Sequence, residues 1–201
     1  KMRSKLDALE QRNNEPIAVI GMGCRFPGGA DNPQLFWKLL KEQKDAIKNN
    51  RNQRWNIGSS YELNANANAE KNSFYGGYLE QIDHFDAQFF NISSKEAKNM
   101  DPQQRLLLEV SWQAIENANI VPQELSNIST GVFIGISNFD YALLLAKTTA
   151  TIDRHYGTGN SLSIAAARLS YFFGLTGPSM AVDTACSSSL TSVHLACQSL
   201  L

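Results

Sequence analysis

The sequence lacks a long apolar run and a marked excess of either charge. No stretch of its 201 residues approaches the ~20 consecutive apolar residues that a membrane-spanning helix needs, so no membrane segment is expected. Lys and Arg together number 18 and Asp and Glu 19, which leaves a formal net charge of -1. A nearly neutral chain has no electrostatic footprint for nucleic acid or for an anionic membrane, and we expect neither as a partner.

Cysteine is also scarce, and the three cysteines are an odd number. The first residues, KMRSKLDALEQRNN, are charged where an export signal would carry an apolar segment. We therefore expect reduced thiols rather than a disulfide framework, and a cytoplasmic protein. Cys, His and carboxylate residues nowhere cluster at metal-ligand spacing, so no metal site is expected.

Residues 1–15 differ in pattern from the rest of the chain. Met2, Leu6 and Leu9 fall at helical spacing among charged residues, which is typical of a short amphipathic helix that buries little by itself. We interpret this segment as an N-terminal linker or docking helix, and a solvated leader fits the pattern equally well. Residues 16–201 form the domain proper.

From Pro16 the pattern alternates between strands and helices. The apolar run PIAVIGM predicts a buried strand. Asn32 followed by Pro33 marks the cap and the first position of a helix. The Asn-rich segment from about residue 48 to residue 73 predicts a long surface excursion.

The clearest helix follows Asp101. Asp101 is a typical cap residue, Pro102 suits the first helical position, and Gln104 completes a capping-box pattern. The predicted helix then carries an apolar stripe formed by Leu107, Val110, Ala114 and Ala118.

A second strong helix covers residues 160–173. It is expected to end at Gly174, because glycine readily adopts the left-handed conformation of a helix C-terminus. Strands are predicted at residues 130–136 and 179–183, on either side of this helix. The alternation of strands and helices predicts the α/β fold class.

The turn after the second of these strands carries Cys186. The sequence VDTACSSSL places this cysteine among small residues between a strand and a helix, which exposes its side chain beside the positive end of the helix dipole. That position favours the thiolate, which is the attacking species, and the backbone N–H of the first turn can stabilise an oxyanion. On this local pattern alone, a buried structural cysteine remains the alternative.

The other nucleophile candidates are weaker. Cys197 shares a helix face with Leu190 and Val193, so we expect it to pack in the core. Cys24, in GMGCRFPGG, is also interpreted as structural. No Gly-x-Ser-x-Gly motif is present, and the serines at 187–189 suit first-turn positions that satisfy backbone N–H groups better than a serine-hydrolase site.

Four blocks of the sequence resemble β-ketoacyl synthases, particularly the ketosynthase domains of modular type I polyketide synthases. The active-site segment of that family is similar to VDTACSSSL here, with GPSM before it and HLACQSL after it. The opening of such domains is similar to EPIAVIGMGCRFPGGADNPQLFWKLL, and the next signature to FDAQFFNISSKEAKNMDPQQRLLLEVSWQAIENA. The helix leading into the active site is similar to GTGNSLSIAAARLSYFFGLTGPS, and the blocks keep the family order across most of residues 15–201.

The resemblance implies a thiolase-like fold, layered α-β-α-β-α in the complete domain, and a homodimer. It implies that Cys186 accepts an acyl chain from the phosphopantetheine thioester of an acyl carrier protein, with its backbone N–H as an oxyanion donor. Decarboxylative Claisen condensation with a malonyl-type extender would follow, in polyketide or fatty acid chain elongation. No cofactor is expected to bind the chain directly.

The condensation step of the family depends on two histidines that lie C-terminal to the cysteine. They belong to motifs of the HGTGT type and of a later Lys-then-Gly-His type, and neither motif occurs here. His84, His155 and His194 stand outside the catalytic family positions; we expect His194 to be semi-buried and the other two to lie in loops or at helix edges. Residues 16–201 are therefore interpreted as the N-terminal part of a ketosynthase domain, truncated after the active-site helix begins. The remaining half and further synthase domains are expected partners.

Alternative functions remain for this sequence. One is a ketosynthase that transacylates without elongating, and another is a non-catalytic assembly fragment that docks through residues 1–15. A dinucleotide-binding oxidoreductase is disfavoured, although Gly21-x-Gly23 follows a predicted strand. Phe26 stands where that fingerprint needs a small residue, and Pro27 prevents the helix that should follow.

Overall fold

The structure is a computed structural model that describes residues 15–49, 75–148 and 154–201. Within these ranges it contains seven α-helices: α1 Pro33–Lys41, α2 Ser94–Asn99, α3 Pro102–Asn117, α4 Asp140–Thr148, α5 Arg154–Asn160, α6 Leu162–Phe173 and α7 Ser188–Leu200. The strands in the same ranges are β1 Ile47–Asn49, β2 Tyr75–Gly77, β3 Val132–Gly135 and β4 Ser179–Val182. The described residues also include two 3₁₀ segments, Pro122–Asn127 and Ala185–Ser187.

The chain divides into two compact units. The first unit consists of Lys1–Met22 together with Phe85–Leu201, and the second unit is Gly23–His84. In the second unit, α1 begins at its predicted cap, since Oδ1 of Asn32 accepts a hydrogen bond from the Leu35 N–H at 2.8 Å. Strands β1 and β2 of that unit pair antiparallel.

The centre of the larger unit is the parallel pair β3–β4. Val132 lies opposite Ser179, and Gly135 lies opposite Val182. Parallel neighbours require a crossover connection, and here the chain between them contains α4, α5 and α6. Helix α6 packs on both strands, α7 packs mainly on β3, and α3 packs on α6. The buried core cluster consists of Phe90, Met100, Leu108, Val132, Ala166, Leu169 and Phe173.

Helix α3 begins at the predicted cap, but the predicted capping box is wrong. Oδ1 of Asp101 accepts the Gln103 N–H at 2.8 Å. In a capping box the Gln104 side chain would return to the Asp101 N–H, which instead donates to the Gly159 carbonyl at 2.9 Å. The Gln104 amide reaches the Thr158 carbonyl at 3.3 Å, so partners more than fifty residues away replace the local ones.

The buried face of α3 is rotated from the predicted stripe. Leu108 is 1% exposed, and Trp112 and Ile115 pack against the core cluster together with the predicted Leu107. Ala114 faces Gly21 instead, in an approach so close that a Cβ on that glycine would overlap the Ala114 backbone. The elements packed around the helix determine which face is buried, and the spacing of apolar residues in the sequence does not reveal those neighbours.

Helix α6 and its end are as predicted. Its buried residues are Ala165, Ala166, Leu169 and Phe173. Gly174 ends the helix in the left-handed conformation with φ 67°, where glycine carries no steric penalty.

The buried strand predicted from PIAVIGM is wrong for this structure. Residues 15–25 form no strand, and Val19 and Ile20 are 79% and 68% exposed. The backbone N–H of Met22 donates to Oδ1 of Asn117 in α3 rather than to a neighbouring strand. An apolar run shows that a segment suits burial, but a strand also needs a paired neighbour, and none pairs with it in the described residues.

Two sequence predictions concern residues outside the described ranges. The amphipathic segment lies there apart from Glu15, and so does most of the predicted excursion at residues 48–73. Lys48 and Asn49 are described, and they belong to β1. Among the helices of the described ranges, none has the length and apolar character needed to cross a membrane.

Candidate active site

Cys186 lies on a sharp turn between β4 and α7. The strand ends at Val182, a single 3₁₀ turn covers Ala185–Ser187, and α7 begins at Ser188. Cys186 is the middle residue of that turn, and it is exposed. The strand–turn–helix arrangement predicted from the sequence is therefore present.

The turn contains a left-handed alanine. Ala185 has φ 54°, a left-handed conformation that a residue with a Cβ adopts only at a cost of about 1–2 kcal/mol. Its N–H donates to Oδ1 of Asp183 at 3.0 Å, which closes a side-chain turn around Thr184. The change of direction at Ala185 carries the chain out of the sheet and into α7.

A buried hydroxyl holds the two residues before the cysteine. Ser188 is 6% exposed, whereas residues 183–187 are all exposed. Its Oγ accepts a hydrogen bond from the Thr184 N–H at 2.9 Å and donates one to the Ala185 carbonyl at 2.7 Å. The backbone N–H of Ser188 donates to the same carbonyl.

Further hydroxyl contacts connect the turn to α7. Oγ of Ser187 donates to the Thr184 carbonyl at 2.9 Å and lies 2.8 Å from the Thr184 hydroxyl. The Thr184 hydroxyl also lies 3.1 Å from that of Thr191, one turn into the helix. The serines were predicted to satisfy backbone N–H groups, and Ser188 does so by accepting from the Thr184 N–H, whereas the Ser187 hydroxyl donates to a backbone carbonyl.

Close packing of α7 on β3 sets the position of the turn. A Cβ placed on Gly135 would lie 2.7 Å from the carbonyl carbon of Ser188 and 2.7 Å from the nitrogen of Ser189. Glycine at this point of β3 therefore allows the first turn of α7 to lie directly on the strand. The strand was predictable from its apolar run, whereas this requirement for glycine was not.

A second polar cluster joins four helices of the same unit. The Arg168 guanidinium donates to Oε1 of Gln104 at 2.9 Å and to Oε1 of Glu96 at 2.7 Å. The Arg168 side chain is 12% exposed, so this ion pair is largely desolvated. Nδ1 of His155 lies 3.9 Å from the other oxygen of Glu96. The cluster ties α2, α3, α5 and α6 together, and no pattern in the sequence predicted it.

Among the described residues, no hydrogen bond or ion pair joins Cys186 to another cysteine or to a histidine. Cys197 is only half-buried, and Leu190 and Val193 on its helix face are 76% and 58% exposed, so the prediction that this face is core is wrong in this structure. His194 is exposed rather than semi-buried, while His84 lies in an exposed loop as expected. The buried face of α7 is the opposite one, which carries Ser188 and Ser192.

Cys24 lies in the other compact unit and is half-buried. Its Sγ lies 3.9 Å from the Ala30 carbonyl. Burial raises the pKa of the Cys24 thiol, Arg25 opposes the rise and Asp31 adds to it. A thiol held in its neutral form is a poor nucleophile, which fits the structural role predicted for this cysteine.

The Cys186 turn has two features of a covalent acyl-transfer site. The thiol is accessible at the start of a 13-residue helix, whose unpaired N–H groups favour negative charge. In the part of the chain that the structure describes, no group accepts a hydrogen bond from the Cys186 N–H. That N–H is available to an oxyanion formed on a substrate carbonyl. No group of three potential metal ligands is found in the same ranges.

An accessible cysteine on a strand-to-helix turn of an α/β unit is an arrangement that suits covalent catalysis by a thiol. The family model "Beta-ketoacyl synthase, N-terminal domain" matches residues 14–201, and the chain belongs to this family. Ketosynthases of this family are acyltransferase-type enzymes of polyketide synthases.

Similar proteins agree with the family. A subunit of the phenolphthiocerol/phthiocerol polyketide synthase of Mycobacterium tuberculosis is 46% identical over 186 residues, which cover 92% of this chain. The ketosynthase from module 6 of the bacillaene synthase of Bacillus subtilis 168 superposes with a TM-score of 0.75 at 38% identity, over 91% of this chain. The oxazolomycin ketosynthase domain OzmH KS7 of Streptomyces albus JA3453 gives a TM-score of 0.76 at 34% identity, over 90% of this chain.

These matches confirm the thiolase-like fold class and the ketosynthase resemblance. The chain spans 10% of the length of the Mycobacterium polyketide synthase protein and 29% of the bacillaene ketosynthase chain. The part that it matches is the N-terminal portion of a ketosynthase.

Proposed function

We propose that Cys186 is the acyl-accepting nucleophile of a β-ketoacyl synthase. The observation that carries this proposal is the exposed thiol on the β4–α7 turn, within a segment that the family model includes. The Cys186 thiolate attacks the carbonyl carbon of an acyl thioester, and a new C–S bond forms. The old C–S bond then breaks, and the departing thiol takes a proton. The product is an acyl chain bound to Cys186 as a thioester.

The acyl donor in this proposal is the phosphopantetheine thioester of an acyl carrier protein. The polyketide synthase relatives support a carrier-bound substrate, because such synthases hold their chains as thioesters. The Cys186 N–H stabilises the tetrahedral oxyanion of the transfer, and the small side chains on either side leave room for the pantetheine arm. No cofactor binds the chain directly.

Chain elongation completes the proposed reaction. A malonyl-type extender on a carrier protein loses carbon dioxide, and its carbanion attacks the acyl carbon held on Cys186. The bond to sulfur breaks, the cysteine thiolate is regenerated, and a β-ketoacyl thioester remains on the carrier. The groups that assist decarboxylation are not in this sequence, so the rest of the ketosynthase domain supplies them.

We also propose the wider setting of the chain. Residues 16–201 form the N-terminal part of a ketosynthase domain, and residues 1–15 form a linker or docking helix. The complete domain acts as a cytoplasmic homodimer with further synthase domains. The family match over residues 14–201 supports the ketosynthase part of this setting, and the polyketide synthase relatives support the further synthase domains.

The test measures β-ketoacyl thioester formation by the intact protein from an acyl thioester and a malonyl thioester. We expect Cys186→Ala to abolish product formation. Cys197→Ala, in the helix that follows the Cys186 turn, is the matched control, and it should retain activity. Product formation by Cys186→Ala at the wild-type rate would contradict the proposal. Acyl loading without any elongated product in the wild type would instead support a transacylating ketosynthase.

A further inference from the structure

The buried hydroxyl of Ser188 has a position that packing alone does not explain. It follows five exposed residues in the chain and makes two short hydrogen bonds, accepting from the Thr184 N–H at 2.9 Å and donating to the Ala185 carbonyl at 2.7 Å. Both partners are backbone groups of the residues that immediately precede Cys186. The hydroxyl therefore bonds to the backbone on each side of the Thr184–Ala185 peptide.

The bond to the Ala185 carbonyl also orients the cysteine. That carbonyl and the Cys186 N–H belong to the same peptide group, which is planar and trans, so they point in opposite directions. A hydrogen bond that fixes the carbonyl therefore fixes the direction of the N–H. Accepting a hydrogen bond at the oxygen also polarises the peptide and strengthens its N–H as a donor.

Because Ala185 is left-handed, the orientation of the Ala185–Cys186 peptide depends on hydrogen bonds from neighbouring residues. At φ 54°, Ala185 is held in a sparsely populated conformation, which persists only where the surroundings over-determine it. The described supports of Ala185 include the Asp183 carboxylate on its N–H. Its carbonyl accepts from two donors of Ser188, the Oγ hydroxyl and the backbone N–H, and the hydroxyl is the donor that a substitution of Ser188 removes. Without the hydroxyl, the part-buried Thr184 N–H also loses the one acceptor that the structure gives it.

We propose that Ser188 is a positioning residue for acyl transfer, whose hydroxyl holds the Ala185–Cys186 peptide so that the Cys186 N–H faces the developing oxyanion. This inference rests on the proposed function, because it requires that Cys186 forms the acyl thioester. Ser188 does not touch the acyl group and acts only through the peptide that it holds.

The test compares two reactions of the same thiol in the intact protein. Acylation by an acyl-pantetheine thioester passes through an oxyanion, whereas alkylation by iodoacetamide does not. Ser188→Ala should lower the acylation rate at saturating thioester by about tenfold to a hundredfold, below the loss of an entire oxyanion-hole donor. The alkylation rate of Cys186 should stay within about threefold of wild type, since the thiol itself remains exposed.

The conservative replacement and a neighbouring serine provide the controls. Ser188→Thr keeps the hydroxyl and should restore most of the acylation rate, whereas Ser188→Val has nearly the same shape without the hydroxyl and should not. Comparing Ser188→Thr with Ser188→Val tests the role of the hydroxyl even if Ser188→Ala does not fold. Ser189 is exposed, so Ser189→Ala should acylate at the wild-type rate.

Several results would overturn the inference. One is wild-type acylation by a folded Ser188→Ala or Ser188→Val protein. Another is an equal fall in acylation and alkylation, which would mean that the thiol is displaced rather than the peptide reoriented. Failure of the proposed function gives a different pattern, because Cys186→Ala would then load acyl chains as well as the wild type does.

Discussion

Gly135 lies so close to Ser188 that a Cβ at residue 135 would be 2.7 Å from the Ser188 carbonyl carbon. The contact joins the end of β3 to the first turn of α7, and Cys186 is two residues before Ser188 in the chain. The thiol is thus positioned by backbone packing between a strand and a helix, as well as by the hydrogen bonds of its own turn.

Gly135→Ala should impair acyl loading and stability together. The added methyl group meets backbone rather than a flexible side chain, so α7 must shift from β3. We expect the free energy of unfolding to fall by about 1–3 kcal/mol, as for other overpacked sites, and acylation of Cys186 to slow severalfold. Chemical denaturation and single-turnover loading measure the two effects.

Gly157→Ala is the matched control for that substitution. Gly157 is exposed in α5, and a Cβ there would have no neighbour within 4 Å. Alanine should therefore leave loading unchanged and raise helix stability by about 0.5–1 kcal/mol. Equal losses in the two variants would mean that the packing of α7 on β3 does not set the position of the thiol.

Arg168→Met should destabilise the protein strongly. It removes the bonds to Glu96 and Gln104 and leaves a carboxylate that is only 25% exposed without its closest cation. Breaking a desolvated pair in this way costs about 3 kcal/mol. Thermal unfolding should also place Arg168→Lys between the wild type and Arg168→Met, since lysine keeps the charge but not the planar fork.

A surface ion pair gives the comparison for the Arg168 cluster. Lys44 lies 3.1 Å from Glu42, but the two side chains are 65% and 40% exposed. Lys44→Met should leave the unfolding midpoint unchanged, because solvent screens exposed pairs. If Arg168→Met also left the unfolding midpoint unchanged, the cluster would not be what holds α2, α3, α5 and α6 together.

Replacement of the Asp101 cap should show whether its hydrogen bond or its charge matters. Asp101 is buried, and Oδ1 accepts the Gln103 N–H. Asp101→Ala should lower the free energy of unfolding by about 1–2 kcal/mol, whereas Asp101→Asn keeps the acceptor and should lose much less. Equal losses in the two variants would assign the effect to charge.

Cys186 should be alkylated before Cys24 and Cys197. Cys186 is exposed, whereas Cys24 and Cys197 are half-buried, and burial raises the pKa of Cys24. A raised pKa leaves less thiolate at neutral pH, so Cys24 should react slowly and should accelerate as the pH rises towards its pKa. Limiting iodoacetamide followed by peptide mapping gives the order directly. Modification of Cys24 before Cys186 at neutral pH would contradict it.

Local features of the fold could be predicted from the sequence. The caps at Asn32 and Asp101 and the glycine end at Gly174 each depend on residues within a few positions. The strand–turn–helix around Cys186 was predictable for the same reason, because small residues and a change of periodicity mark it.

Features that depend on distant partners could not be predicted. Gln104 bonds to α5 and α6 instead of its own cap, and no local pattern indicates this. The run at residues 16–22 is typical of a strand but pairs with no strand in the described residues. Ser188 was placed correctly in the first turn, yet its hydrogen bonds follow from the left-handed Ala185, which the residues CSSS do not indicate.

The most direct test of Cys186 as the acyl acceptor is peptide-mapped mass spectrometry of the intact protein after incubation with an acyl-pantetheine thioester. We predict the added acyl mass on Cys186 itself, located by fragmentation within the peptide that it shares with Cys197, and no acyl mass on Cys197 or Cys24. Acylation at another residue, or an unlabelled Cys186 in folded protein, would contradict the claim that this cysteine is the acyl acceptor.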